Sequence, residues 1–245
     1  MSRYGLVGVI ILVIIVVVGG VAYYMHSSHK TPATTTVATT SSTSATTSST
    51  TQQATTSSSK LSPTEVEAIK YMAEEEKLAY DVYTKLASMY PNIQIFSNIA
   101  KSEQTHINAV LSLAKKYGIP ITLGPPGKFN NTHIQELYNK LIAEGSKGLE
   151  QALKVGALVE ETDIKDLQEW LSKVNHEDIK QVFECLMMGS RNHLRAFTST
   201  LEKQFNVKYT PQVLSEQEYE QIIKSPMETG PNNTCASLGI NIGNK

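Results

Sequence analysis

A carboxylate and an imidazole stand three residues apart in Ser102-Glu103-Gln104-Thr105-His106, inside a stretch whose apolar residues recur at three- and four-residue intervals. Three residues of α-helix turn through about 300° and rise about 4.5 Å, so Glu103 and His106 lie one above the other on one face. Phe96, Ile99, Val110, Leu113 and Tyr117 continue the same spacing, which puts the pair in the seam where apolar side chains belong. A buried carboxylate and imidazole are costly without partners. A metal ion inside a helical bundle removes that cost, and it demands a fold that brings further ligands to the same depth.

The helix signals supply such a fold from Leu61 onward. Ser62-Pro63-Thr64-Glu65 is a capping box with Pro at the first helical position, opening a helix that runs to about Met89 before Tyr90-Pro91. A second helix spans about Ile93 to Tyr117, with Gly118 as its C-terminal cap and Pro120 beyond. Residues 118–131 form a Gly/Pro-rich loop. Thr132 with Gln135 opens a short helix to about Ala143, Ser146 a third long helix to about Val174, and Asn175 with Asp178 a fourth to about Phe205. Ser215 with Glu218 marks one more short helix, and residues 225–245 read as an irregular tail. No segment alternates with period two for long enough to make a convincing strand. Short links inside two helix pairs and a long crossover between them specify an all-α bundle of two antiparallel hairpins.

Polar residues interrupt the apolar seam of every long helix. On the first, Ile69, Met72, Glu76, Ala79, Tyr83 and Leu86 share a face, so Glu76 points inward while Glu74 and Glu75 point to solvent. On the third the row is Leu149, Leu153, Gly156, Glu160, Asp163, Leu167, Trp170 and Val174. On the fourth it is Ile179, Val182, Leu186, Gly189, His193, Ala196 and Thr200. At about 1.5 Å per residue from their turns, Glu76, Glu103 and Glu160 fall near mid-height, with His106 and His193 one turn further on. Converging carboxylates repel unless protonated or neutralised by a cation. Imidazole together with carboxylate suits Fe, Mn or Zn better than Ca or Mg. Tyr80, Tyr83 and Trp170 read as core packing ahead of redox-active aromatics near a metal, Arg191 and Arg195 as partners of nearby acids, and His26, His29, His133 and His176 lie off the seams.

The remaining 60 residues are of another kind. No charge lies between Arg3 and His26, and Gly5–Ala22 is almost wholly Val, Ile, Leu and Gly, long enough to cross a bilayer as one helix. A cleavable signal peptide ending near Gly20-Val21-Ala22 and a pilin-type leader are the rival readings. Residues 31–59 are mostly Ser and Thr, a composition that cannot bury a core and reads as an extended, disordered stalk open to O-glycosylation. The expected organisation is an anchor over 1–30, a stalk over 31–60, a helical bundle over 61–206, and a short helix and tail over 207–245. A Ser/Thr stalk makes most sense outside the cell, which places a single-pass anchor in the membrane and the folded part on the extracytoplasmic side. The sequons at Asn130 and Asn232 agree with this. Cys185 and Cys235 are either a disulfide or a buried thiol and a tail thiol. A net charge of −1 with no basic stripe excludes a nucleic-acid partner.

Glu76, the Glu103-x-x-His106 pair, Glu160 and His193 together resemble the di-iron ligand pattern of the ferritin-like superfamily, rubrerythrin-type members in particular. The stretch Glu76-Lys77-Leu78-Ala79-Tyr80-Asp81-Val82-Tyr83 is similar to that family's first helix. Glu74-Glu75-Glu76-Lys77-Leu78-Ala79, Ser102-Glu103-x-x-His106 and Gly189-Ser190-Arg191-Asn192-His193-Leu194 further resemble an uncharacterised ferritin-like domain family of prokaryotes. The resemblance covers about Leu61 to Phe205 and implies a ferritin-like four-helix bundle holding two irons, with Mn or Zn as alternatives. It also implies redox chemistry on dioxygen or peroxide, fed by an external electron donor because no rubredoxin-like Cys cluster is present. One position departs from the pattern: a second Glu-x-x-His would need Glu at 190, and the chain has Ser190. Asp163, one turn after Glu160, fills that gap on the rubrerythrin pattern. The alternatives are a non-catalytic envelope-associated binding or adhesion module and a mononuclear Zn or Fe site of structural role.

Overall fold

The capping box forms as the sequence dictates, and it does more than start a helix. In the computed structural model, which describes residues 60–230 and 234–243, Glu65 N–H donates to Ser62 Oγ at 3.2 Å and Ser62 N–H to Glu65 Oε2 at 2.8 Å. The other oxygen of Glu65 accepts the backbone N–H groups of Asn175 and His176 at 2.9 and 3.0 Å. One carboxylate therefore opens the first helix and ties it to the start of the last long one, and these contacts hold its pKa well below the usual carboxylate range against the opposing effect of burial. Asn175 is not the cap the sequence suggests: His176 stands at the N-cap of the fifth helix.

The helices are α1 (Pro63–Met89), α2 (Gln94–Lys116), α3 (Thr132–Gly145), α4 (Leu149–Leu171), α5 (Glu177–Phe205), α6 (Glu216–Lys224) and α7 (Thr234–Ser237), with no strand among the described residues. α1 pairs with α2 and α4 with α5 as hairpins, and the pairs meet through α1 against α4 and α2 against α5. α2 ends in a Schellman motif: Gly118, at φ +66°, donates to Lys115 O and Ile119 N–H donates to Ala114 O at 2.8 Å. Two boundaries differ from expectation. Asn131, not Thr132, caps α3, its side chain accepting from His133 and Ile134 N–H. Ser146 closes α3, and Gly148 precedes α4.

Each long helix contributes to two apolar clusters. Ala68–Ala73, Ala109–Ala114, Leu167–Val174 and Ile179–Leu186 supply one; Leu78–Leu86, Phe96–Ala100, Ala152–Ile164 and Leu194–Leu201 supply the other. On α1, α2 and α5 most of the buried residues between are polar, so a polar layer divides the core.

Glu74 and Glu75 are not solvated. Both are buried, since the crossover covers that side of α1. Glu74 accepts the N–H groups of Asn130 and Asn131 at 2.8 and 2.7 Å. Lys77 pairs with Asp81, donates to Pro125 O at 3.2 Å and stands 4.3 Å above the Phe129 ring. The segment after α5 is anchored equally firmly: Glu161 accepts Tyr209 OH at 2.6 Å and the N–H groups of Gln212, Val213 and Leu214. Arg191 and Arg195 pair with Glu228, as expected of them.

Cys185 and Cys235 form a disulfide, which settles the alternative the sequence left open. The tail is ordered around it: α7 carries Cys235, and Ile240 and Ile242 join the core. The apolar stretch 5–22, the Ser/Thr segment and the Asn232 sequon lie outside the described residues. Among those described, no helix is long and apolar enough to cross a membrane.

Gly156 shows how closely the hairpins approach. A Cβ there would stand 2.4 Å from Cε1 of the fully buried Phe197, so Gly156→Ala forces the ring or the helix to move. We expect that substitution to lower the unfolding free energy by about 1–3 kcal/mol in urea titration, and an unchanged midpoint would contradict this packing.

Candidate metal centre

Glu76 comes from α1, Glu103 and His106 from α2, Glu160 from α4 and His193 from α5, and all five are buried in the polar layer. His106 Nδ1 lies 2.8 Å from Glu103 Oε2 and 3.1 Å from Glu76 Oε2. His193 Nδ1 lies 2.8 Å from Glu103 Oε1 and 3.5 Å from Glu160 Oε1. The two imidazoles stack 5.7 Å apart at 20°. Glu76, Glu103 and His106 offer three ligand atoms within 4.8 Å of one another, and so do Glu103, Glu160 and His193. Glu103 belongs to both groups, one oxygen toward each imidazole.

Several of these donor atoms have no hydrogen-bond partner: Glu76 Oε1, Glu103 Oε1, Asp163 Oδ1 and both nitrogens of His193. His193 Nδ1 and Glu103 Oε1 lie 2.8 Å apart yet make no aligned hydrogen bond. Buried polar atoms are nearly always satisfied, so unpartnered donors gathered at one point make a site that could hold a cation. The donor set, three carboxylates and two imidazoles, fits iron, manganese or zinc. The residues present therefore fit a metal pair.

Electrostatics point the same way. Burial pushes the Glu76 carboxyl up to about 7, even with His106 beside it. Burial and the charge of Glu76 hold Asp163 well above its usual range. Burial opposes the imidazolium of His106, but Glu103 and Glu76 more than offset it and raise its pKa well above the ordinary value. Glu103 and Glu160 likewise overcome burial at His193 and push it up to about 9. Without a cation, protons neutralise this layer.

Asp163 is near but not of either group. Its Oδ2 accepts from the hydroxyl of Ser190, which stands at the position where the resemblance expects a glutamate. Ser190 also sits 2.9 Å from Leu186 O, within its own helix. Tyr83, read from sequence as core packing, reaches the centre: its hydroxyl donates to Glu160 Oε1 and lies 3.2 Å from Gly156 O. Its place seven residues after Glu76, two turns along one face, was the available signal. Glu75 was missed as well. It lies beside Asp166, which accepts Tyr71 OH at 2.6 Å, and burial with the charges of Asp166 and Asp163 raises its pKa well above the usual value. Asn241 was beyond any sequence signal: its carbonyl lies 3.1 Å from His106 Nε2.

The pH dependence of the metal-free chain follows from these shifts. Glu76 titrates at about 7 when folded against an ordinary 4.5, and His193 at about 9 against 6.5, so the folded chain holds more protons than the unfolded one between those values. Both raised groups stabilise fully below their unfolded pKa and lose that contribution as pH rises through the folded one. We expect the melting temperature of chelator-treated chain to fall as pH rises from about 5 to about 9, and the gain on adding metal, which replaces protons, to grow over the same range. A metal-free melting temperature that rises with pH would contradict this electrostatic picture.

The chain matches the family described as "Uncharacterized protein domain (DUF2202)" over residues 65–226. It is 49% identical over 174 residues to an uncharacterized protein, MJ0754, of Methanocaldococcus jannaschii, a match covering 70% of this chain and 93% of that one. It is also similar to the crystal structure of hypothetical protein MJ0754 from Methanococcus jannaschii, with a TM-score of 0.66 and 49% identity over 69% of this chain and 96% of that one. The matched segment contains all the long helices but for their outermost residues, and every residue of the two ligand groups. On that extent of match, the chain belongs to the DUF2202 family.

Proposed function

We propose that this chain is a ferritin-like protein holding a dinuclear non-haem metal centre, iron by preference, and that it transfers electrons from an external donor to dioxygen or peroxide. The observation that carries the reading is Glu103, whose two oxygens each face a separate His/Glu pair. In this reading His106 and Glu76 would hold one ion, His193 and Glu160 would hold the other, and Glu103, with an oxygen toward each imidazole, would serve both. Three carboxylates offset most of the charge of two divalent ions, which makes the buried layer tolerable. Bound iron would supply the redox equivalents and an open position for the oxidant. The protein's own part is to fix the ligands by four rigid helices, to keep bulk water out of the layer, and to orient Glu160 through the Tyr83 hydroxyl.

We further propose that the domain is displayed from a membrane by an N-terminal anchor. The uncharged run 5–22 and the Ser/Thr segment support this, and so does the Cys185–Cys235 disulfide, a bond typical of oxidising compartments.

Ser190 favours a second reading. It leaves α5 with no carboxylate in the layer, so one side of the pair would be short of protein ligands and the centre would hold a single structural ion.

Metal content separates the readings. The full chain should carry about two irons, measured by mass spectrometry of the metal after gel filtration. Glu103→Ala should remove both, while Glu76→Ala and Glu160→Ala should each remove about one. One ion in the wild type supports the mononuclear reading, and none supports a non-catalytic bundle. Tyr83→Phe should weaken metal affinity about 10- to 100-fold by releasing Glu160, measured by chelator competition. Unchanged affinity would remove Tyr83 from the centre.

A further inference from the structure

The family match ends at residue 226, yet a segment beyond it lies on the centre. Asn241 O is 3.1 Å from His106 Nε2 and also accepts from the hydroxyl of Ser102, while Asn241 N–H donates to Thr105 Oγ1 at 2.8 Å. Ile242 O accepts from the Asn192 side chain at 2.6 Å, so the segment bridges α2 and α5. Gly243, at φ +80°, lies so close to His193 that a Cβ would stand 3.4 Å from Nε2. On α5, a Cβ at Gly189 would stand 2.8 Å from His106 Nε2 and 3.7 Å from the Ile242 backbone. Ile240 and Ile242 are buried in the core, and Cys235 is bonded to Cys185 of α5.

A carbonyl oxygen has no proton to give. The contact between His106 and Asn241 O therefore requires the proton on Nε2, and in a neutral imidazole this leaves the lone pair on Nδ1. Nδ1 is the atom that faces Glu76 and Glu103. The strap thus selects the tautomer that a metal ligand needs.

We propose that the disulfide-stapled strap Thr234–Gly243 is a working part of the metal centre, its Asn241 carbonyl positioning His106 and its backbone closing both imidazoles off from exchange. The inference rests on the metal reading above and adds a positioning group and a barrier from outside the family's matched segment. Asn241 acts through its main chain, so the contact is tested by freeing or displacing the strap rather than by changing the Asn241 side chain. Cys185→Ser with Cys235→Ser removes the staple, and Gly243→Val keeps it while placing a side chain against His193.

The probe is Co(II), added alone to the full chain. In the oxidised wild type, a paramagnetically shifted imidazole N–H proton should persist in D2O, and loss of cobalt to EDTA should be slow. Both variants should lose that proton signal to exchange and release cobalt about 10- to 100-fold faster, with helical circular dichroism unchanged. Hydrogen exchange of the peptide covering residues 238–243 should rise in the double variant. The inference is overturned if that peptide stays protected without the staple, or if it exchanges freely while cobalt release and the N–H signal stay as in wild type. A wild type that binds no cobalt overturns the metal reading, and the strap's role with it. Wild-type binding with unaltered release overturns the strap alone.

Discussion

Glu103 is the interaction on which the rest of the architecture turns. It sits near mid-height of α2 with an imidazole against each of its oxygens, and each imidazole brings a carboxylate from another helix. Burying such a group costs several kcal/mol unless its charge is met. The long helices meet that demand together, which is why the apolar core is split into two clusters with the polar layer between them. The packing holds the ligands, and the ligands dictate where packing must stop.

A series of carboxylates beyond the centre serves the same end by other means. Glu65, Glu74 and Glu161 each accept backbone N–H groups from loops that would otherwise leave them unpaired. These contacts pin the α4–α5 link, the crossover and the segment after α5, and the rigidity reaches the centre through α1 and α4. Glu75 is different. Its neighbour is another acid, Asp166, and burial with that charge raises the pKa of Glu75 well above the usual value. The acidic face of α1 thus divides into residues that tie loops and residues that face the layer.

The seams were legible because helical period and burial are set by the same geometry. Glu76, Glu103, His106, Glu160 and His193 occupy the positions that three-four spacing assigns them, and the structure brings their donor atoms together. Asp163 shares the seam of Glu160 but turns to Ser190. Glu74 and Glu75 were misread because one helix's pattern is silent about what a crossover will cover. Tyr83 hid behind the apolar body that makes tyrosine a good core residue, its hydroxyl being the informative part. The cap shifted from Thr132 to Asn131 because the Asn131 side chain reached the Ile134 N–H first. The strap was illegible because Asn241 acts through its backbone carbonyl, which every residue has.

The account stands or falls on whether Glu103 lies between two metal ions. Crystals of the full chain grown with ferrous iron, measured at the iron absorption edge, answer that directly. The account predicts two anomalous peaks about 3.5–4 Å apart, one beside His106 and Glu76 and the other beside His193 and Glu160. A single peak held by one group alone, or iron bound away from Glu103, would contradict it.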